Sequence, residues 1–427
     1  MRASTPRLLL VLTELPPTVG GMQTHARHLA AHLARDAAAI EVLTYRTTDP
    51  QLAAQAREFD AACGYPVHRV LSRLGYWHNL ALIRRRIREF RADAVYASTV
   101  FYGLLRTQTE VPVVCRSVGN DVLRPWLGYP YPWCSGAVGA QPVQRALRWW
   151  LEHGQHPDWV DRLFRQARER LMRDAAAAHS GILANSDYTA GLLRGIGVAD
   201  QRIEVVSGGV DAAHFAPRAD ARVAARRALG LPADAQVVLT VCRLVPKKGV
   251  EVLLDAVARL RPTFPRIQLV VVGDGRERRT YEARVTQLGL QDAVHFAGRV
   301  PHEQVARHYW ASDVFALASY ESRHAGGAVR DVETMGRVLC EANAAGLPLV
   351  ATDTGGTPSV VRSGDNGLLV PPQDAAALAG AIARVLRTPT LALQLRDRGL
   401  ARARGEFDWP AVMARNEAAI ARAIAQP

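Results

Sequence analysis

The chain lacks much that would have named a class at once. Nowhere in its 427 residues is there an apolar run of eighteen, so no segment reads as a membrane span. Its five cysteines, Cys63, Cys115, Cys134, Cys242 and Cys340, are odd in number and scattered, with no C-x-x-C spacing. That pattern argues against a disulfide framework or a zinc site, and Cys115, Cys242 and Cys340, set in apolar runs, read as core residues. No repeat of 20 to 50 residues and no Asp-x-Asp metal motif is present, and no histidine lies between His78 and His153. The opening stretch has arginines before a short apolar run, but it stops at Pro16-Pro17 and no small-residue cleavage pattern follows. Residues 8–13 therefore read as a first buried strand and not as a signal peptide.

What the chain has is the composition of a globular protein, 48% hydrophobic and 22% charged, and a length that calls for two domains of roughly 200 residues. The net charge of +13 favours anionic surroundings. Basic residues are spread along the chain without a nucleic-acid motif, so an anionic membrane surface is the favoured partner and nucleic acid is not expected.

The sequence is organised around residues 333–356, ETMGRVLCEANAAGLPLVATDTGG. Glu333 lies in a glycine-containing loop, and Glu341 follows after seven residues on a short helix that stops at Gly346. An apolar run at 347–352 leads to Gly355-Gly356, and a helix starts at Pro358. Ionised carboxylates accept hydrogen bonds from paired sugar hydroxyls, and a glycine turn before a helix offers N–H groups to an anion. Together they point to a sugar joined to a phosphate. Against this stands the plain alternative, two solvated glutamates and a chain turn.

Upstream, a β-branched run at 237–242 precedes Arg243 and Lys248, and an amphipathic helix follows. Cations at a strand end can neutralise a diphosphate, arginine by its planar fork and lysine as a point charge. Strands are also expected at 40–45, 67–70, 94–98, 111–116, 181–185, 267–272 and 293–297. In the first half these alternate with helical stretches, the pattern of a parallel α/β sheet in a Rossmann-like domain. Gly20 and Gly21 lie between the first strand and a helix, where N–H groups can meet a diphosphate or the glycines can simply make a tight turn.

These motifs, taken in order, resemble the family 4 retaining glycosyltransferases of GT-B fold, and the resemblance covers most of the chain. It implies an α/β GT-B architecture, two Rossmann-like domains with parallel sheets facing a cleft. Residues 1–206 would be the acceptor domain, 207–405 the nucleotide-sugar donor domain, and 406–427 a C-terminal helix crossing back to the first domain. It assigns Gly20, Gly21, Arg243 and Lys248 to the donor diphosphate, Glu333 to the sugar hydroxyls, Glu341 to the ribose and the backbone near Arg299 and Val300 to the nucleobase. Gly355 and Gly356 would supply the anion turn. The donor would be a GDP-sugar or UDP-sugar and the acceptor a glycan or lipid-linked hydroxyl, with no metal or other cofactor. The expected setting is cytoplasmic, peripheral at the inner face of the membrane. A Gly-Gly-Met-Gln turn at 20–23 and a long loop before Glu333 are similar to features of phosphatidylinositol mannoside-type mannosyltransferases, which points toward GDP-mannose.

There are departures. Val118 stands where the family carries a histidine near donor and acceptor, Asn120 where it has a second one, and Ser359 where it has a glutamate. Asp121 matches the family's aspartate and is the substitute catalytic candidate. Residues 123–178 carry Trp126, Trp133, Trp149 and Trp150 beside arginines, a stretch fit for acceptor recognition or for packing over the domain edge. Two rivals stand beside the transferase: a nucleotide-sugar 2-epimerase of the same architecture, and a non-catalytic sugar-nucleotide binding protein.

Overall fold

The computed structural model describes residues 5–18, 20–37, 39–47, 49–73, 75–123, 158–323 and 329–426. The chain divides into two compact units, Met1–Val206 with Met413–Pro427, and Ser207–Val412. The four tryptophans at 126, 133, 149 and 150 lie outside the described residues.

The first unit is built on β1 (Arg7–Val11), β2 (Ala39–Tyr45), β3 (Val67–Leu71), β4 (Ala94–Ala97), β5 (Val113–Ser117), β6 (Gly181–Ala184) and β7 (Ile203–Val205). They form one parallel sheet in the order β3-β2-β1-β4-β5-β6-β7. In the last strand Ile203, Glu204 and Val205 pair with Ile182, Leu183 and Ala184. Three residues are too few for periodicity to betray a strand. Ser186 caps the helix Asp187–Gly195 by accepting from Thr189 N, as its place before the helix predicts.

The second unit contains β8 (Gln236–Val241), β9 (Ile267–Val272), β10 (Val294–Gly298), β11 (Val314–Leu317), β12 (Ser322–Arg323), β13 (Val329–Asp331), β14 (Leu349–Thr352) and β15 (Gly367–Val370). Six of them make a parallel sheet in the order β10-β9-β8-β11-β14-β15, and β12 and β13 pair antiparallel as a separate ribbon. Alternation along each strand feeds two cores. Val237, Leu239, Phe315 and Leu317 pack on one face. Val238, Leu269, Val314 and Ala316 pack on the other. A sheet buried on both faces needs apolar residues at every position, which is why these strands read as continuous runs. Cys242 and Cys340 are buried free thiols within these cores, and Cys115 is one in the core of the first unit.

In both sheets the chain runs outward from a central strand, then returns and continues on its other side. The reversal falls between β1 and β4 in the first sheet and between β8 and β11 in the second, where open α/β sheets carry ligands beyond their carboxyl ends.

Candidate active site

In the second unit the site grows from the end of β8. The chain leaves the strand through Cys242, Arg243 and Leu244 and makes one tight turn at Pro246–Lys248 before the helix Val250–Leu260. Gly249 joins the two with φ +61°, and a Cβ there would collide with Ala318 O just past β11. This loop is tied to the end of β9, since Leu244 N donates to Asp274 O at 3.0 Å and Glu277 N to Leu244 O at 3.2 Å.

Lys248 Nζ donates to Glu333 Oε2, forming an ion pair whose side chains are 12% and 13% exposed. Burial works against both charges, yet each holds the other ionised. The Glu333 carboxylate and its hydrogen bond lift the Lys248 pKa above the usual lysine value, and the Lys248 charge brings that of Glu333 below the usual carboxylate value. Arg243 is exposed, makes no ion pair among the described residues, and its charge opposes that of Lys248. One cation is thus committed and its neighbour is not.

Gly355 and Gly356 seat the Glu333 loop. Gly356 N donates to Glu333 O at 2.8 Å. A Cβ at Gly355 would collide with Glu333 O, and one at Gly356 with Thr334 O. The backbone that these glycines admit is the chain's own, a reason for the pair that sequence alone did not offer. Glu341, on the helix Arg337–Ala344, is buried, accepts from Tyr309 Oη at 2.8 Å and lies 3.6 Å from Arg337 Nε. Burial pushes the Tyr309 phenol well above its ordinary pKa, so it stays a donor to that carboxylate. Arg299 is exposed and Val300 half-buried just past β10, two strands from β8.

Sequence reading missed several members of this neighbourhood. Lys247 Nζ bonds Asp331 at 2.7 Å and Val332 O at 3.0 Å. Ser319 Oγ and Thr357 Oγ1 are fully buried hydroxyls without a partner among the described residues. Polar residues immediately after β11 and after Gly356 were the available signal.

In the first unit, Gly20 precedes the helix Gly21–His32, and its carbonyl accepts from Thr24 N at 3.0 Å and Thr24 Oγ1 at 2.9 Å. Gln23 Nε2 reaches back to Glu14 at 2.8 Å, bracing the turn against the end of β1. Asp121 lies in the short helix Asn120–Leu123 after β5 and is 8% exposed. One of its oxygens accepts from Ser117 Oγ at 2.7 Å and the other from Val100 N at 3.1 Å. Burial raises its pKa above the usual carboxylate value in spite of these bonds and one from the Thr99 hydroxyl. The structure therefore brings Lys248, Glu333, Gly355 and Gly356 into one contact set, keeps Glu341 on its own partners, and engages Asp121 within its own loop.

Two family models match the chain, Glycosyltransferase Family 4 over residues 19–214 and Glycosyl transferases group 1 over residues 222–402. A D-inositol 3-phosphate glycosyltransferase of Segniliparus rotundus is 30% identical over 413 residues, 92% of this chain and 82% of that protein. The chain belongs to glycosyltransferase family 4. A GDP-mannose-dependent alpha-(1-6)-phosphatidylinositol monomannoside mannosyltransferase of Mycolicibacterium smegmatis is 28% identical over 409 residues, 94% of this chain and 95% of that one. Among solved structures, Anabaena HepE in complex with UDP superposes with a TM-score of 0.73 at 22% identity, over 98% of this chain and all of that one. Sucrose-phosphate synthase from Thermosynechococcus elongatus does so with a TM-score of 0.70 at 24% identity, over 99% and 100%. These neighbours and the two parallel sheets make the fold GT-B.

A largely buried carboxylate kept ionised by a lysine can accept from hydroxyls, and an uncommitted arginine beside that lysine adds positive charge that an anion could meet. Among the described residues no three His, Cys, Asp or Glu side chains are grouped as a metal ion would require. Among them, too, no single helix is long and apolar enough to cross a membrane.

Proposed function

We propose that this glycosyltransferase moves a hexosyl unit from a nucleoside diphosphate sugar to a hydroxyl of a glycan or lipid-linked acceptor, with retention at the anomeric carbon. The observation that carries the proposal is the largely buried Lys248–Glu333 pair with Arg243 beside it. In this reading Glu333 accepts from sugar hydroxyls and Glu341 from the ribose. Lys248 and Arg243 hold the diphosphate. Arg299 and Val300 border the base, and the Gly355-Gly356 turn sets the Glu333 loop. The donor is held by residues 207–405 and the acceptor by residues 1–206.

The bond between the anomeric carbon and the diphosphate oxygen breaks as the bond to the acceptor oxygen forms on the same face. The acceptor proton passes to the departing phosphate, so the step needs no protein base at Val118. Asp121, with both oxygens engaged by its own loop, suits orientation better than proton abstraction. Because two cations carry the diphosphate charge, the reaction is expected to run without a divalent ion.

The name of the mycobacterial relative supports GDP-mannose as the first donor to try. The charge of +13 supports action on a lipid-linked acceptor at an anionic cytoplasmic membrane surface. Incubation with labelled donor and a lipid extract tests the whole reading: transfer is expected, whereas an epimerised donor or binding alone would replace it. A thermal-shift screen of GDP- and UDP-sugars names the donor, since a ligand at 100 times its Kd adds about 2.7 kcal/mol.

A further inference from the structure

Lys247 and Lys248 are adjacent, yet they grip different parts of one loop. Lys248 meets the Glu333 carboxylate. Lys247 Nζ donates to Asp331 Oδ1 at 2.7 Å and to Val332 O at 3.0 Å, its side chain 12% exposed and that of Asp331 30% exposed. The Lys247 carbonyl also accepts from Tyr320 N at 2.9 Å. One residue therefore holds the chain as it leaves β11 and again as it ends β13, the two flanks of the ribbon that precedes Glu333. On the far side, buried Val332 lies against Gly355, whose missing Cβ would strike it.

This second grip matters because of what a donor does to the first. Lys248 is the cation that a diphosphate would recruit, and a lysine shared with phosphate holds Glu333 less firmly. The Lys247–Asp331 pair involves no proposed donor ligand, so it keeps residues 331–333 in register whether or not Lys248 is engaged. We infer that Lys247 and Asp331 are positioning residues that fix Glu333 for the sugar and contribute little to holding the nucleotide. The inference rests on the reading of Glu333 as the sugar-holding carboxylate.

The experiment compares Lys247→Met, Lys247→Arg, Asp331→Asn and the double variant Lys247→Met/Asp331→Asn with the unaltered full chain. Three readouts are used: turnover, affinity for GDP and UDP against GDP-mannose and UDP-glucose, and amide exchange at residues 332–335. Misplacement of a positioned group by an ångström costs up to about a hundredfold. Lys247→Met is expected to lower kcat/KM by about ten- to a hundredfold and to weaken the sugar nucleotide while leaving the bare nucleoside diphosphate within about twofold. Exchange at 332–335 should quicken. Lys247→Arg, which can still pair with Asp331, should restore most of the activity, and the double variant should be no worse than Lys247→Met.

Equal weakening of nucleotide and sugar nucleotide would overturn the inference by making Lys247 a diphosphate ligand, and unchanged exchange with unchanged affinities would overturn it outright. If the unaltered chain bound no nucleotide at all, the donor reading would fall by itself. Exchange would then decide the strap alone, quickened amides in Lys247→Met or Asp331→Asn upholding it and unchanged ones removing it.

Discussion

The two sheets have the same strand order up to their sixth strand, with the reversal at the same place, yet the groups beyond their strand ends are of different kinds. Beyond the first sheet the polar groups mostly bond one another, Thr13 with Ser98 at 2.8 Å and Asp121 with Ser117 and Val100, beside one exposed ion pair, Arg73 with Glu14 at 3.4 Å. Beyond the second sheet lie full charges, with Lys248 on Glu333, Lys247 on Asp331, and Arg243 uncommitted. A shared scaffold thus sets where a site sits, and the residues hung on the strand ends set what it can do. The difference predicts that substitutions in the second unit act on the chemistry, whereas those in the first act mainly on the local structure.

The largest effect should come from Lys248→Ala. Loss of a preorganised charge at the leaving group lowers kcat/KM by about two or more orders of magnitude. It also leaves Glu333 buried without its cation, a destabilisation of about 3 to 5 kcal/mol for a broken buried pair. Arg243→Ala should match it in turnover and differ in stability, because Arg243 is exposed. Steady-state kinetics beside denaturant unfolding separates the two, and near-normal turnover in either folded variant would remove that residue from the mechanism.

Asp121→Asn tests the other side. It keeps the size but turns one acceptor oxygen into a donor facing Ser117 or Val100, at about 1 to 3 kcal/mol of stability. Turnover should fall by less than in Lys248→Ala, with donor affinity unchanged. A folded, donor-binding but inactive Asp121→Asn would instead make Asp121 the base and reverse the contrast between the units.

Acidification should loosen the first unit. His179 is fully buried, and loss of solvation lowers its pKa from 6.5 to about 4 despite its contacts with the carbonyls of Val100 and Val113. Between those values the unfolded imidazole takes a proton that the folded one refuses. Stability of the first unit is therefore present above pH 6.5 and falls, by on the order of 3 kcal/mol, as pH drops toward 4. Glu333 is lowered from 4.5, so the contribution of its ion pair is fully present down to about pH 4.5 and fades below it. Amide exchange around His179 should quicken as pH falls, and His179→Gln should flatten that slope; in the second unit buried His308, its pKa also lowered by burial, acts in the same sense. Asp121, raised by burial, works in the opposite sense, so the slope is best read in an Asp121→Asn background.

The smallest expected effect is none: activity in excess EDTA should equal that in its absence. Activity that disappears with chelator and returns with Mg2+ or Mn2+ would mean that Arg243 and Lys248 do not carry the diphosphate alone.

Much of this molecule is local information. β-branched runs, turn glycines and the spacings R-x4-K and E-x7-E are visible in the chain, because strands buried on both faces must be apolar throughout and because cations and carboxylates at strand ends follow their strands at fixed offsets. Three strands of the two parallel sheets are not legible in the chain. β7 and β15 are only three and four residues long, and β11, Val-Phe-Ala-Leu, is a four-residue run too brief to tell from a helix segment, although it is central to its sheet. That omission matters, since β8 beside β11 is what brings the turn after one strand to the loop after the other. Lys248 and Glu333 are 85 residues apart, Lys247 and Asp331 84, and Asp121 and Val100 21. The sequence by itself determined the class of fold and the residue types available for the site. Which lysine meets which carboxylate, and that Asp121 is already occupied, was decided only by strand order, because a charge pair between distant residues exists only once the sheet has set their strand ends side by side.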